Sequence, residues 1–263
     1  MMYGWIGLGN MAQAIIKGML AAENYDAKTI LAYNRSQEKV TRFEKEYGIV
    51  GCHSVEELLD ADVIVLGVQP QQLEAVYAQI AGQLKPHQIV VSMAAGKTIA
   101  QLQQGLNHQL VCRIMPNINA IVGASTTGFA SAPELTNDMK QAVRAMFEAV
   151  GSVIEIPEEQ FDVFSAIAGA SPAFTYLYID SLARAAVMEG MDKGTALQIA
   201  ASAVLGSAEM VLQSNEHPWA LVDQVCSPGG TTIQGVTSLQ NNHFASTIYE
   251  AVQAVIARDR VLK

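Results

Sequence analysis

The segment at residues 3–12, YGWIGLGNMA, decides the fold of this 263-residue chain. A short apolar run is followed by Gly7-Leu8-Gly9-Asn10-Met11-Ala12, which has the spacing G-x-G-x-x-G/A. The first glycine permits a tight turn, the second lets the backbone approach a pyrophosphate, and a small third residue lets helix and strand pack closely. The helix that follows offers free N–H groups and a positive dipole end. We therefore predict a dinucleotide site at Ile6, Gly7, Leu8, Gly9, Asn10 and Met11, the alternative being a plain tight turn.

The rest of the first half alternates between two patterns. Strands are predicted at 3–6, 29–33, 50–52, 63–68, 89–93, 110–115, 125–130 and 152–156, and helices or helical turns at 10–22, 37–47, 55–59 and 134–150. Such alternation is typical of parallel strands joined by helical crossovers. We expect a sheet of about eight strands and place the end of this domain at Pro157.

From residue 158 onward the pattern is helical. Helices are predicted at 158–167, 172–190, 193–213, 217–226, 231–240 and 243–260. Ser171-Pro172 is expected to supply an N-cap and the first helical residue, and Asp192 to cap the next helix. The predicted fold class is an α/β Rossmann-type dinucleotide-binding domain, residues 1–157, followed by an all-α dimerisation and substrate-binding domain, residues 158–263.

Composition indicates an oligomer. Hydrophobic residues make up 50% of the chain and charged residues only 16%, against roughly 25% charged in an average globular protein. The helix predicted at 193–213 carries only Lys193 and Glu209 as charges. A helix that is apolar around most of its circumference is buried, and we expect this one in a subunit interface.

Several classes of partner are not expected. The net charge of −9 disfavours nucleic acid and anionic membranes. The apolar stretch 165–188 is interrupted by Asp180 and Arg184, so a buried helix is favoured over a membrane span. No basic n-region precedes the first strand, which favours a cytoplasmic protein. The three cysteines lie far apart, as in a reduced protein, and the scattered histidines suggest no metal site.

The loop after the second strand indicates which cofactor is bound. An NAD-type enzyme is expected to have an acidic residue there for the ribose hydroxyls, whereas this chain has Asn34-Arg35-Ser36. A cation between two neutral hydrogen-bonding residues suits a 2′-phosphate, so we predict NADPH, with NADH as a weaker alternative. The other interpretation is a solvated loop in which Ser36 caps the next helix.

Small or polar residues also follow the later strands. They lie at the carboxyl ends, where ligands bind in sheets of this kind. We predict cofactor contacts there, although ordinary turns, and for Ser54 a capping box with Glu57, explain each position singly. The residues are Ser54, Val68, Gln69, Pro70, Ala94, Ala95, Pro116 and Asn117.

These motifs occur in one order along the chain, which resembles the pyrroline-5-carboxylate reductases from end to end. The most specific part is CSPGGTTIQGVTSLQ, residues 226–240. The resemblance implies reduction of Δ1-pyrroline-5-carboxylate to L-proline by NADPH, in the last step of proline biosynthesis. It also implies a homodimer, or a higher oligomer, interleaved through the helical domain, with the active site at the subunit junction. Gln69, Ile118-Asn119 and Ala170 depart from the family pattern.

The turn Ser227-Pro228-Gly229-Gly230-Thr231-Thr232 suits that chemistry. Successive N–H groups of Gly229, Gly230 and Thr231, at the start of a helix, would form a nest for the substrate carboxylate. The Thr232 hydroxyl would bind the ring nitrogen, a contact that the resemblance also implies, and Gln224 is a weaker candidate on the same grounds. The alternative is an ordinary helix break with Thr231 as N-cap.

Two other functions remain possible from the sequence. A β-hydroxyacid dehydrogenase shares the glycine turn and a helical second domain, but its family uses a lysine on the long central helix, and residues 172–190 contain none. A non-catalytic NADPH sensor would not need the Ser-Pro-Gly-Gly-Thr-Thr turn.

Cys226 beside the turn is interpreted as a structural thiol, since no neighbouring cation is evident to lower its pKa.

Overall fold

The computed structural model describes residues 1–22 and 24–262 of the chain. It divides into two compact units, Met1–Gly169 together with the residues from Ile256 onward, and Ala170–Val255. The first unit contains the sheet and the second is helical, which confirms the predicted fold class.

The first unit is built on an eight-stranded sheet in the order β3-β2-β1-β4-β5-β6-β7-β8. The strands are β1 (Tyr3–Ile6), β2 (Ile30–Tyr33), β3 (Val50–Gly51), β4 (Val63–Leu66), β5 (Ile89–Ser92), β6 (Val111–Met115), β7 (Ser125–Ser131) and β8 (Gly151–Glu155).

One pairing departs from the predicted parallel sheet. β6 and β7 are antiparallel, with Ile114 opposite Phe129. Only a short 3-10 turn at Ile118–Val122 separates them, whereas a parallel pair needs a crossover of a dozen residues or more. The prediction of parallel pairing is therefore wrong for this pair and correct for the others.

Helices cover both faces of the sheet. They are α1 (Asn10–Ala21), α2 (Gln37–Tyr47), α3 (Leu73–Ile80), α4 (Ile99–Leu106), α5 (Asn137–Glu148) and α6 (Phe161–Phe164). One buried cluster joins α1, α2 and α5 to side chains such as Trp5 and Phe129. The other joins α3 and α4 to side chains such as Ile64 and Val90. Burial on both faces explains why the parallel strands are continuous apolar runs.

The chain stays helical where a break was predicted. After α6, Ser165–Ala170 forms a π-helix that leads directly into α7 (Ser171–Met188). Ala170, the residue before Ser171, is itself in the right-handed helical conformation. Ser171 is therefore not an N-cap, which corrects the prediction, and Pro172 lies in the first turn of α7 although the residues before it are also helical.

The compact units of the structure divide between Gly169 and Ala170, whereas the domain boundary predicted from the sequence lies at residue 157/158 and stays a prediction. Residues 158–169 belong to the first unit because Glu158 accepts a hydrogen bond from Ile99 N and pairs with Arg113. Phe161 is also buried there, under the Arg113 guanidinium. The C-terminal residues from Ile256 return to the same unit.

The second unit is made of α7, α8 (Lys193–Gln213), α9 (Pro218–Val225), α10 (Thr231–Asn241) and most of α11 (Phe244–Leu262). Its buried cluster consists of Ala183, Ala196 and Ala200, while large apolar side chains such as Met188 and Leu212 are each 85% exposed. Within the described residues, α8 is the one helix whose length and composition would allow it to cross a membrane. Asp192 caps α8, as predicted, by accepting from Thr195 N.

Candidate active site

The glycine turn after β1 has the geometry that its sequence predicts. Gly7 has a φ of +101°, which L side chains rarely adopt. A Cβ at Gly7 would lie 2.6 Å from the Gly67 carbonyl oxygen. Gly9, in contrast, has open space around the position of its missing Cβ. The first glycine is thus required by the protein's own packing, and the second leaves room for a ligand.

The N-terminus of α1 is free to bind an anion. Gly9 is the N-cap and offers no side-chain acceptor to the first N–H groups of α1, and the first turn contains no acidic residue. Those N–H groups have no partner within the helix and lie at the positive end of its dipole. Asn10 and Met11 begin this helix, with Leu8 buried behind the turn. The residues present fit a dinucleotide pyrophosphate.

The loop after β2 is tied to the glycine turn. Asn34 Oδ1 accepts from Leu8 N at 3.1 Å, and its Nδ2 donates to Ser36 O at 3.3 Å. Arg35 is exposed and forms no ion pair with a described residue. Ser36 is the N-cap of α2 but makes no side-chain capping bond. Asn34 therefore holds the turn in place, while the Arg35 guanidinium and the Ser36 hydroxyl are available to a phosphate.

Ser54 shows one half of the predicted capping box. The Glu57 carboxylate accepts from Ser54 N at 3.1 Å and also from His53 N. The turn that follows is a short 3-10 helix, Glu56–Leu58, whose N-cap is Val55. Hydrogen bonds from its own backbone and from Ser54 hold the pKa of Glu56 below its usual value.

The remaining predicted cofactor residues lie together at one edge of the sheet. Val68, Gln69 and Pro70 follow β4, Ala94 and Ala95 follow β5, and Pro116 and Asn117 follow β6. Parallel neighbouring strands end at the same edge, so the topology brings these segments to the same side as the glycine turn. Pro70 and Ala95 line a cavity of about 420 Å³ within the first unit.

That cavity is also lined by a buried cation, Arg113, that sequence reasoning missed. Arg113 projects from the middle of β6, where an apolar residue is expected, and is 5% exposed. Its Nη1 lies 2.9 Å from Glu158 Oε1, and its guanidinium stacks on Phe161 at 4.3 Å from the ring centroid. A charged residue inside a strand pattern was the available signal, because buried charges are paired. Lys97 lines the same cavity.

Gly67 was missed as well. It follows β4 and lies against the glycine turn, with Gly67 N donating to Ile6 O at 2.8 Å. A Cβ there would also approach Met93 Cε to 3.1 Å. No spacing rule marks this glycine, and its role becomes visible only when β1 and β4 are paired.

In the second unit, the predicted substrate turn connects α9 to α10. Gly230 is the N-cap of α10 and gives it no side-chain capping bond. Gly229 has a φ of +69°, and a Cβ on Gly230 would collide with the Ser227 hydroxyl. The positive φ favours glycine at position 229, and the nearby Ser227 leaves little space for a side chain at position 230. Thr231 is the first helical residue rather than the N-cap.

The predicted nest of three N–H groups is corrected in one respect. Gly230 N donates to Ser227 O at 2.9 Å and so closes the turn instead of facing a ligand. The N–H groups of Thr231 and Thr232 open α10, where they have no intrahelical acceptor. Gln224, Gly229, Thr231 and Thr232 are all exposed.

The cysteines and the possible metal ligands bear on whether the described residues could form a catalytic thiol or a metal site. Burial raises the pKa of Cys52 to about 11 and that of Cys112 further, so both are protonated thiols at neutral pH. Cys226 is half-buried. Across residues 1–22 and 24–262, no group of three or more His, Cys, Asp or Glu side chains could hold a metal ion.

Two family models match this chain, one in the helical half and one in the N-terminal half. The family model described as pyrroline-5-carboxylate reductase dimerisation matches residues 158–262. The model described as NADP oxidoreductase, coenzyme F420-dependent, matches residues 2–96.

Individual relatives match over nearly the whole length. The pyrroline-5-carboxylate reductase of Escherichia coli is 36% identical over 98% of this chain and 97% of its own. The structure of a Coxiella burnetii pyrroline-5-carboxylate reductase superposes with a TM-score of 0.91 at 31% identity, covering 99% of this chain and 98% of that one. A Plasmodium falciparum pyrroline carboxylate reductase with NADP bound gives 0.87 at 29% identity, covering 99% and 97%. The chain belongs to the pyrroline-5-carboxylate reductase family.

Proposed function

We propose that the protein reduces the C=N bond of Δ1-pyrroline-5-carboxylate to give L-proline, with NADPH as cofactor. The observation that carries this proposal is the 36% identity to a pyrroline-5-carboxylate reductase over 98% of the chain, because the likeness includes both the dinucleotide site and the helical unit. The free N-terminus of α1 and the unpaired Arg35 support NADPH binding in this chain.

Each part of the cofactor would have its own contacts. The N–H groups at Gly9, Asn10 and Met11 would bind the pyrophosphate, and Arg35 and Ser36 the 2′-phosphate. The segments after β4, β5 and β6 would orient the nicotinamide half. When bound, NADPH supplies the hydride for the imine carbon.

The turn before α10 would hold the substrate. The N–H groups of Thr231 and Thr232, at the positive end of α10, suit a carboxylate. The Thr232 hydroxyl would orient the ring nitrogen, with Gln224 as a weaker candidate. The protonated imine gains a hydride and becomes a secondary amine, so the protein need supply position and electrostatics rather than a strong acid.

A coupled measurement tests this function. The purified protein is incubated with NADPH and Δ1-pyrroline-5-carboxylate, the loss of absorbance at the NADPH wavelength is followed, and proline is quantified separately. We expect equal amounts of NADPH consumed and proline formed. Oxidation of 3-hydroxy acids with NADP⁺ and no reduction of the imine would identify a β-hydroxyacid dehydrogenase instead. Tight NADPH binding without turnover of either substrate would identify a sensor.

The exposed apolar side chains of the second unit support a homodimer formed through this unit. Leu177, Met188, Leu212 and Tyr249 are each more than two-thirds exposed in one chain, and exposed apolar patches of this kind mark interfaces. Light scattering during gel filtration measures the mass, for which we expect a dimer or a multiple of it.

The exposed apolar side chains of α8 are the reason to test the cytoplasmic location directly, by cell fractionation and by flotation with lipid vesicles. Recovery in the vesicle fraction would contradict it.

A further inference from the structure

A buried polar cluster lies where β6 ends and β7 begins. It consists of Asn117, Ser125 and Thr127, all less than a tenth exposed. Asn117 N donates to Ser125 Oγ at 3.3 Å, and Ser125 Oγ and Thr127 Oγ1 are 3.1 Å apart. Buried polar groups without partners are costly, whereas a satisfied network fixes one local arrangement. The cluster therefore sets the position of Asn117 firmly.

The Asn117 side chain connects this cluster to the π-helix at Ser165–Ala170. Its Nδ2 donates to the Ala168 carbonyl at 2.9 Å, and its Oδ1 accepts from Thr126 N at 3.3 Å. Both ends of the amide are thus engaged within the protein. The predicted contact of Asn117 with the cofactor is not needed to explain why a buried amide lies here.

The π-helix is held at its other end by packing. Phe164, the residue before it, lies so close to β7 that a Cβ on Gly128 would approach the phenyl ring to 3.0 Å. π-helical turns are rare and are frequently found at functional sites. Phe164 is fixed by packing and Ala168 by a hydrogen bond, so the three residues between them, 165–167, are held from both sides, on one side through Asn117.

These residues form part of the cavity at the carboxyl edge of the sheet. Ser165 lines it together with Met115, Ala95 and Pro70. The last two lie in segments where cofactor contacts are predicted. Asn117 follows Met115 by two residues, so its hydrogen bond to Ala168 links the end of β6 to the π-helix that contributes Ser165 to the cavity.

We propose that Asn117 is a positioning residue for the reductase reaction, which holds the π-helix through Ala168 and thereby fixes the shape of this cavity. The inference rests on the proposed function for the reaction itself. It differs from direct cofactor binding because it predicts that the loss of Asn117 alters turnover and the mobility of residues 165–170, with NADPH affinity retained.

Two variants at Asn117 separate a positioning role from direct cofactor binding. Asn117→Asp keeps the size of the side chain and the acceptor for Thr126 N but replaces the donor to Ala168, and Asn117→Ala removes both. Asn119→Asp, in the same turn, is the matched control, because the Asn119 side chain has no described hydrogen bond to lose. For each protein, NADPH Kd, kcat, KM for Δ1-pyrroline-5-carboxylate and amide hydrogen exchange of residues 163–172 are measured.

We expect Asn117→Asp and Asn117→Ala to lower kcat at least tenfold, to accelerate exchange in residues 165–170 and to change NADPH Kd less than threefold. Asn119→Asp should match the wild type. A tenfold rise in NADPH Kd would assign Asn117 to direct cofactor binding and overturn the proposal. Wild-type kcat and KM in both variants would overturn it too. A wild-type enzyme that does not reduce the imine would refute the proposed function, while the exchange data would still decide whether Asn117 holds the π-helix.

Discussion

Gly7 and Gly67 lie backbone to backbone, so that neither position has room for a side chain. A Cβ on Gly67 would be 2.9 Å from the Gly7 carbonyl oxygen, and the reciprocal contact from Gly7 is shorter still. The two residues follow neighbouring parallel strands, β1 and β4. Their contact holds the glycine turn close to the carboxyl end of β4. Because each glycine directly follows a strand, neither carbonyl can move without disturbing that strand.

The first prediction separates this packing role from ligand binding. Gly67→Ala should destabilise the protein by about 1–3 kcal/mol, since the methyl group meets backbone atoms. Gly9→Ala should cost less than about 1 kcal/mol, the range of N-cap exchanges, yet raise NADPH Kd at least tenfold because its methyl group would occupy the open side of the turn. Thermal unfolding without ligand and fluorescence titration with NADPH measure the two effects. Equal destabilisation by both variants would contradict this division.

The second prediction concerns cofactor choice. Arg35→Met should weaken NADPH binding by about ten- to hundredfold, as expected for the loss of roughly 1.5–3 kcal/mol from a charge-assisted hydrogen bond, with NADH binding unchanged. Lys45→Met, at the other end of α2, serves as the control. The ratio of kcat/KM values for the two cofactors is the measurement. A ratio that stays at the wild-type value in Arg35→Met would remove Arg35 from phosphate recognition.

The third prediction concerns the substrate. Thr232→Ala should lower kcat/KM for Δ1-pyrroline-5-carboxylate by about ten- to hundredfold, with NADPH affinity retained, because one hydrogen bond to a charged group is lost. Thr232→Ser keeps the hydroxyl and should recover most of the activity. Thr237→Ala, farther along the same helix, should behave as the wild type. An active Thr232→Ala enzyme would exclude this hydroxyl from the mechanism.

The fourth prediction concerns the buried Arg113. Glu158→Ala would leave its guanidinium without a counter-ion and Ile99 N without an acceptor. We expect a loss of about 2 kcal/mol, below the usual 3–5 kcal/mol for a fully buried pair because the Glu158 side chain is 30% exposed. Urea unfolding compares this variant with Glu159→Ala, which alters the adjacent exposed carboxylate. Equal midpoints for the two variants would show that the pair is not a stabilising element.

The fifth prediction is a pH dependence. Hydrogen bonds from Lys193 and Arg184 hold the pKa of Asp180 below its usual value. A carboxylate whose folded pKa is depressed stabilises the protein above the unfolded pKa of about 3.9, and this contribution is lost as the pH falls through the folded value. Asp180→Asn should therefore flatten the decline of the melting temperature below pH 4. Asp223→Asn, an exposed carboxylate on α9, should leave the decline as in the wild type.

Sequence reasoning succeeded where local chemistry decides the structure. β1, α2 and α8 have the predicted bounds, because a glycine turn, the terminal Gly48 and the Asp192 cap mark them. The antiparallel β7 was missed because apolar periodicity does not encode strand direction. The π-helix was missed for a related reason, since Ser171-Pro172 signals a helix start whether or not the preceding turn is also helical.

The site was predictable in part. The donors of the glycine turn follow from spacing. The use of Gly230 N to close its own turn is a local contact with Ser227 O that the composition of the turn does not specify. The burial of Asn117 depends on a contact with Ala168, which is distant along the chain. Arg113 could have been noticed as a cation within a strand, although its partner Glu158 lies 45 residues away. Non-local pairing of this kind is set by topology, which a single sequence specifies only indirectly.

The alanine core of the second unit has a consequence for how the protein behaves in a dilute solution or a crowded cell. Three buried alanines contribute little burial free energy, so we expect the helical unit to gain much of its stability by associating with another copy of the chain. Its melting temperature should then rise with protein concentration. A newly made chain would stay vulnerable to proteases until it associates with a second one. A co-expressed copy that cannot associate would not enter the wild-type assembly and would leave wild-type activity unchanged.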